Sequence, residues 1–430
     1  MLGKNLLIHT QRSCTPNVER IVESGMCIGC GLCASIAGPD VLRMGPGPDG
    51  ESRPWALDVV PQNVDNTIRA VCPGVRMDLE TPDPSAPVND PMWGPLHRIA
   101  AGYAVDAETR FVASSGGGIS ALTQHLLDTK AVDFVLHIRE SIPAPLLSTR
   151  QLSYDSVEVM RGAGSRYGTS SPLADFSDVL ALGEPFAVVG KPCDIAAVRN
   201  LAKIDPRVDN LVKLTISFLC GGIGAERLEH MLDKENIDRS QITGFRCRGH
   251  GCPGPTHIDL ADGSSREYPF GEFWGDDEEH WGIPFRCKVC PDAVGEQADV
   301  VAFDVWSEKT PDGELPGESG FIARSKAGLD ALAAAEVDRY VAIDRELTLD
   351  ELSAMQSHHV RRRQGTAPRL LAVALRNGLL PRTAWRRLLR LAVGTGVRTF
   401  TDNLRGAFTR AGAKHETMAR GVPPRDWSGL

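Results

Sequence analysis

The chain has 430 residues, 42% hydrophobic and 24% charged, which is enough for two or three packed domains and excludes collagen-like, coiled-coil and intrinsically disordered classes. Eleven cysteines, several of them in C-x2-C spacing, fit metal ligation in a reducing compartment better than a disulfide framework, so a cytoplasmic location is expected. The net charge of −8 is unevenly spread: fifteen Lys and Arg against Asp402, Glu416 and Asp426 make residues 361–430 strongly basic and the remainder acidic, which argues against a nucleic-acid partner.

In chain order, the opening M-L-G-K-N-L-L-I-H-T holds too short an apolar stretch for a secretory signal, and no run of about 18 apolar residues marks a membrane span. Cys14 has no partner at ligand spacing and reads as a spare thiol. Next, C-I-G-C-G-L-C sets Cys27, Cys30 and Cys33 two residues apart, and Cys72 stands before Pro73. This is the C-x2-C-x2-C and distant C-P pattern of bacterial ferredoxins. Three thiolates so close wrap one corner of a cubane only if the loop turns tightly, which Gly29 and Gly31 permit. Structural zinc is the alternative, but it usually shows two separated C-x2-C pairs. Residues 1–80 therefore read as a ferredoxin-like 4Fe-4S segment.

The proline-rich stretch after it predicts a linker over 81–95. Beyond it, strand patterns at 99–105, 132–138, 186–190 and 211–219 alternate with helical ones at 118–127, 195–201 and 225–232. That alternation predicts an α/β (α+β) core with a mixed or largely parallel sheet, divided at about residue 175 into parts 96–175 and 176–345. Two glycine-rich turns punctuate it. Ser114, Ser115, Gly116, Gly117 and Gly118 open into a helix, where backbone N–H groups suit a phosphate. G-A-G-S-R-Y-G (162–168) adds Ser165, the cation Arg166 and the ring of Tyr167. Each turn alone is as readily a plain connection, and no G-x-G-x-x-G follows a strand.

A second cysteine set lies in this core. Cys193 follows Gly190-Lys191-Pro192, Cys220 ends a strand, and Cys287 and Cys290 form C-K-V-C-P, with Cys247 and Cys252 between them. The last pair has ligand spacing; the others are compatible with ordinary buried thiols. Trp274 and Trp281 suit a roof over a cofactor or a shield over a cluster, while Glu278 and Glu279 are expected in solvent. His250, His257, His358 and His359 do not single out a proton donor, and the catalytic residue is left unassigned. In the tail (346–430), Leu370, Leu371, Leu375, Trp385, Leu388 and Leu389 fall at helical spacing among arginines, and Pro381 should separate two helices. Such helices suit a membrane surface or an acidic ferredoxin, but packing on the acidic body is the favoured expectation.

The ordered motifs C-I-G-C-G-L-C, S-S-G-G-G-I-S-A-L, G-S-R-Y-G, G-K-P-C-D-I-A-A-V-R, F-L-C-G-G, F-R-C-R and C-K-V-C-P-D resemble the beta-subunit family of coenzyme F-420 hydrogenases and dehydrogenases, over roughly residues 20–345. The resemblance implies an iron-sulfur flavoprotein with FAD in the α/β core and two 4Fe-4S clusters. By position, Ser115, Gly116, Gly117, Ser165, Arg166, Tyr167 and Lys191 are the implied flavin contacts, and Cys193, Cys220, Cys287 and Cys290 the implied core-cluster ligands. Cys247 stands where the family often has an acidic residue and Cys252 is additional, so either is an alternative to Cys220. Asp299 and Asp304 match the family pattern, yet an Asp at a strand end also serves as a cap or turn former. The implied function is an oxidoreductase passing electrons from ferredoxin or a partner subunit through the clusters to FAD and a small organic acceptor. The alternative is an electron-transfer subunit of a larger complex using coenzyme F-420.

Overall fold

The computed structural model describes residues 16–79, 83–168, 170–222, 224–275, 282–306 and 314–419. Cys14, Glu278, Glu279 and Trp281 lie outside the described residues, as do residues 81 and 82 of the expected linker. Eight strands form the central sheet: β1 (Arg98–Ala104), β2 (Phe134–Glu140), β3 (Ser148–Ser153), β4 (Phe186–Val189), β5 (Val212–Phe218), β6 (Val300–Asp304), β7 (Ser319–Ala323) and β8 (Val341–Glu346). Their spatial order is β8-β1-β7-β6-β5-β4-β2-β3. Strands β6, β5, β4 and β2 are mutually parallel, with Ile216 beside Val300 and Val135 beside Ala187. Antiparallel β7 separates β6 from β1, and β8 and β3 close the two edges antiparallel. The sheet is mixed.

Side-chain alternation explains why these stretches read as nearly continuous apolar runs. Phe134, Leu136, Phe186, Val188 and Val301 enter one core with Ile195 and Val198 of helix α2 (Pro192–Ala202). Val135, Ala187, Leu214, Ile216 and Val300 enter the other with Leu122 and Leu126 of helix α1 (Gly118–Asp128). Both faces are covered, as parallel strands require.

The N-terminal segment carries helices Pro16–Glu23, Leu32–Ala37 and Gln62–Val71 and the hairpin Leu42–Pro46 with Ser52–Ala56. Residues 83–96 are tied to the core. Trp93 is buried and donates Nε1–H to Ser353 Oγ at 2.9 Å, while Arg324 Nη1 donates to the carbonyls of Trp93 (2.7 Å) and Pro95 (3.1 Å). A small antiparallel sheet of Ile242–Arg246, Thr256–Leu260 and Ser265–Tyr268 has no counterpart in the sequence reading. Its strands are short, and the glycine-rich 247–255 loop breaks their alternation.

The tail contains α3 (Ser357–Gln364), α4 (Thr366–Asn377), α5 (Trp385–Val393) and α6 (Val397–Ala419), with Pro381 between α4 and α5. Leu370, Val373, Leu388, Ala392, Ala407 and Ala411 are buried, whereas Leu375 and Leu389 face outward. The tail lies against the N-terminal segment: Lys414 Nζ meets Asp49 Oδ2 at 2.6 Å, and Asn377 Nδ2 donates to Ser24 O at 3.2 Å. No helix among the described residues is long and apolar enough to cross a membrane.

Candidate functional site

Cys27, Cys30, Cys33 and Cys72 line one cavity, together with Ile28, Gly29, Gly31, Leu32, Met44, Ile68, Val71 and Pro73. The loop turns because Gly29 and Gly31 adopt φ of 74° and 89°. A Cβ on Gly29 would stand 2.6 Å from Ser52 O, and one on Gly31 2.7 Å from Ala174 N. Segment 171–174 buttresses the loop through Ser171 Oγ to Gly29 O (2.7 Å) and Leu173 N to Cys30 O (2.9 Å). Burial, then the charge of Asp194 and of neighbouring thiols, pushes Cys30 well above the usual thiol range; burial and Cys27 push Cys72 up to about 12. Thiolates are costly in such a cavity unless a cationic centre binds them.

The second set is assembled from three places. Strand β4 turns through Gly190 and Lys191 into α2, putting Cys193 in the first helical turn. Cys220 follows β5 and its N–H bonds Ala293 O at 2.9 Å. A Cβ on Gly222 would approach Cys287 Sγ at 3.6 Å, so this turn lies directly against the C-K-V-C segment. Cys220 and Cys290 bear electrostatically on Cys193 and on Cys287, and Cys290 on Cys220; burial followed by these neighbours raises Cys220 to about 11 and Cys287 to about 12. Cys247 and Cys252 lie elsewhere, beside Arg166, Arg248, Asp304 and Glu314. Among the described residues no three His, Cys, Asp or Glu side chains converge tightly enough to hold one metal ion. A cubane asks for wider spacing, since each of its four irons takes one thiolate.

Both glycine turns sit at the edge where the parallel strands end. Ser165 Oγ donates to Ser114 Oγ at 2.8 Å, joining them. Ser115 donates to Asp304 at the end of β6, and Asp304 accepts both amino groups of Arg248 at 3.0 and 2.9 Å. Burial opposes the charge on Asp304, but Arg248 outweighs it and holds the carboxyl below its ordinary range. Ser319 Oγ takes the N–H groups of Gly116 and Gly118, and Cβ atoms at Gly116, Gly117 and Gly118 would strike protein atoms, so packing already demands glycine there. Arg166 is spent on the carbonyls of Pro145, Leu147 and Phe245, and Lys191 on Asp194 (2.9 Å) and Ser170 (2.8 Å). The Tyr167 ring packs edge-on to buried Trp274 at 4.8 Å.

Two family models match this chain: the N-terminal part of the coenzyme F-420 hydrogenase/dehydrogenase beta subunit over residues 99–176, and its C-terminal part over residues 183–346. The chain belongs to this family. An F-420-dependent sulfite reductase of Methanocaldococcus jannaschii is 24% identical over 361 residues, covering 80% of this chain and 50% of that protein. The beta subunit of an F-420-dependent formate dehydrogenase from the same organism is 25% identical over 250 residues, covering 54% of this chain and 57% of the relative. The chain thus spans about half the length of the curated relatives it matches. A chain of the xenon-derivatised F-420-reducing nickel-iron hydrogenase complex of Methanosarcina barkeri shares the fold, with a TM-score of 0.50 and 20% identity, over 65% of this chain and 94% of that one.

In this beta-subunit family chain, the surroundings of the site bring in further residues. Arg248 is buried between Phe270 and Trp306, 5.1 and 4.8 Å from their ring centres, and clamps Asp304. Asp299, by contrast, accepts from Thr215, Arg199 and Ser325 and is structural. His257 is held by Glu267 and Asp259 on the small sheet, each at 2.9 Å, and His250 packs edge-on to Phe111. Arg286 donates to Pro73 O across 213 positions of sequence, which no local pattern announces.

Proposed function

We propose that this chain is an iron-sulfur flavoprotein oxidoreductase. It accepts electrons from a ferredoxin or a partner redox subunit through two 4Fe-4S clusters and passes them by way of FAD to a small organic acceptor of the deazaflavin class. What carries the reading is the gathering of eight cysteines from five stretches of an F-420 beta-subunit family chain into two adjoining four-thiol sites. Cys27, Cys30, Cys33 and Cys72 would hold one cluster in a ferredoxin-like N-terminal segment; Cys193, Cys220, Cys287 and Cys290 would hold the other. Proximity supports Cys220 over Cys247 and Cys252 as the fourth ligand.

For FAD, location and the joining of the two turns are the supporting features. Ser114, Ser115, Gly116, Gly117, Gly118, Ser165 and Tyr167 form walls of the strand-end edge, where ligands of open α/β sheets bind. Arg166 and Lys191 brace that edge rather than pairing with phosphate, because their donors are engaged by protein acceptors. When bound, a flavin exchanges electrons singly or in pairs, which a cluster cannot do. Arg248 and Asp304 hold the 114–118 turn in place. Lys191, charged beside Asp194, offsets thiolate charge at the second site, since Cys193 and Cys220 both lie within its field.

The second reading is an electron-transfer subunit of a larger complex, favoured by the match to a formate dehydrogenase beta subunit over 54% of this chain, whereas the match to the sulfite reductase over 80% favours an enzyme acting alone. The test is iron, acid-labile sulfide and flavin per chain on anaerobically purified protein, followed by F-420 absorbance with reduced ferredoxin. About eight irons and one FAD are expected. About four irons, or zinc without flavin, would overturn the reading. F-420 turnover by the lone chain supports the self-sufficient enzyme; turnover only with a hydrogenase or dehydrogenase subunit supports the electron-transfer subunit.

A further inference from the structure

Arg286 is only 3% exposed and immediately precedes Cys287. Its Nη2 donates to Pro73 O at 3.0 Å, and Pro73 immediately follows Cys72. One guanidinium is therefore anchored next to a thiol of each site. Its chain neighbours are apolar and packed: Phe285 and Val289 lie with Ile21, Met26, Cys27 and Cys72 in one apolar cluster. Among the described residues its Nε and Nη1 have no hydrogen-bond partner. Buried guanidinium N–H groups are rarely left open, because losing water without gaining an acceptor is unfavourable. Among the described residues no carboxylate is bonded to it, and its charge bears on a thiol on either side, lowering Cys72 and Cys287 against the effect of burial. An arginine is suited to this place, since its planar fork presents five donors in fixed directions and reaches two acceptors at once.

We propose that Arg286 is a positioning residue shared by the two thiol sites, its open N–H groups donating to cluster or thiolate sulfur on either side and its charge raising the potentials of both centres. The inference rests on the cluster reading given above. Hydrogen bonds to sulfur and nearby positive charge both favour the reduced, more negative state of a cluster. A single residue thus ties the poise of the N-terminal centre to that of the core centre.

The experiment is a potentiometric titration of the full chain, purified anaerobically and followed by electron paramagnetic resonance, on wild type, Arg286→Gln and Arg286→Lys, with iron and sulfide counted on each sample. In Arg286→Gln with iron retained, both centres are expected to titrate at more negative potential, and Arg286→Lys to restore part of the shift. Unchanged midpoints, or movement of one centre alone, would overturn the shared role. The fully reduced wild type supplies a readout independent of the variants: spin coupling between the two centres is expected, and uncoupled spectra would overturn the proposal. Wild type lacking iron would overturn the cluster reading itself, which keeps the two failures apart.

Discussion

Replacing Gly31 with alanine should damage the N-terminal thiol site more than its size suggests. Gly31 has φ +89°, and an added Cβ would lie 2.7, 2.8 and 2.9 Å from the N, Cα and Cβ of Ala174. The left-handed conformation costs an L-residue about 1–2 kcal/mol, and overpacking against fixed atoms adds about 1–3 kcal/mol. Ala174 cannot swing aside cheaply, because Leu173 N and Ser171 Oγ hold its segment to Cys30 O and Gly29 O. A loss of about 2–5 kcal/mol is expected, concentrated in the loop that carries Cys30 and Cys33. Gly50 is the control: its φ is +77°, and its Cβ would meet nothing within 4 Å. Gly50→Ala should therefore cost about 1–2 kcal/mol and leave the iron content untouched. The assay is thermal unfolding together with iron per chain under anaerobic conditions. Gly31→Ala should melt below Gly50→Ala and lose about half of the iron. Equal melting of the two variants with full iron in both would refute the steric argument.

Cys220→Ser should lower iron per chain, whereas Cys247→Ser and Cys252→Ser should leave it unchanged; iron loss in either of the latter two with none in the first would reassign the fourth ligand. His137 is buried, and burial depresses its pKa from 6.5 to about 4. The unfolded chain therefore binds the extra proton first, so stability present above pH 6.5 declines as the pH falls toward 4, by about 3 kcal/mol for this one group. Urea unfolding across that range should show the decline, and its persistence at full size in His137→Gln would exclude this histidine as the cause. Glu296 is fully buried and accepts from Arg363 and from Arg387, the latter at 2.5 Å, joining the loop before β6 to helices α3 and α5. Glu296→Gln should cost about 3–5 kcal/mol, because the buried Arg363 and the partly exposed Arg387 both lose the counter-charge of a buried carboxylate; a change below about 1 kcal/mol in chemical unfolding would contradict that, since such a value is ordinary for exposed pairs.

Local chemistry was legible in the sequence wherever covalent reach confines the answer. Cys27, Cys30 and Cys33 are two residues apart, so their loop can do little except converge, and the glycines between them permit the turn. Strands at 134–140, 186–189 and 212–218 and helices at 118–128, 192–202 and 225–234 fall to within three residues of the periodicity, because each buries a regular face. Tertiary structure alone decided what depends on distant partners. It inserted antiparallel β7 between β1 and β6, and it seated the basic tail on the N-terminal segment. It brought Cys220 rather than Cys247 or Cys252 beside Cys193, Cys287 and Cys290, and it engaged Arg166 and Lys191 with protein acceptors. Arg286 and Glu296 look like ordinary surface charges in one dimension, and the motif F-R-C-R does not announce that its Arg248 is buried against Asp304. Their burial follows from contacts across tens to hundreds of residues, where many weak packing terms add up and no spacing rule records the sum.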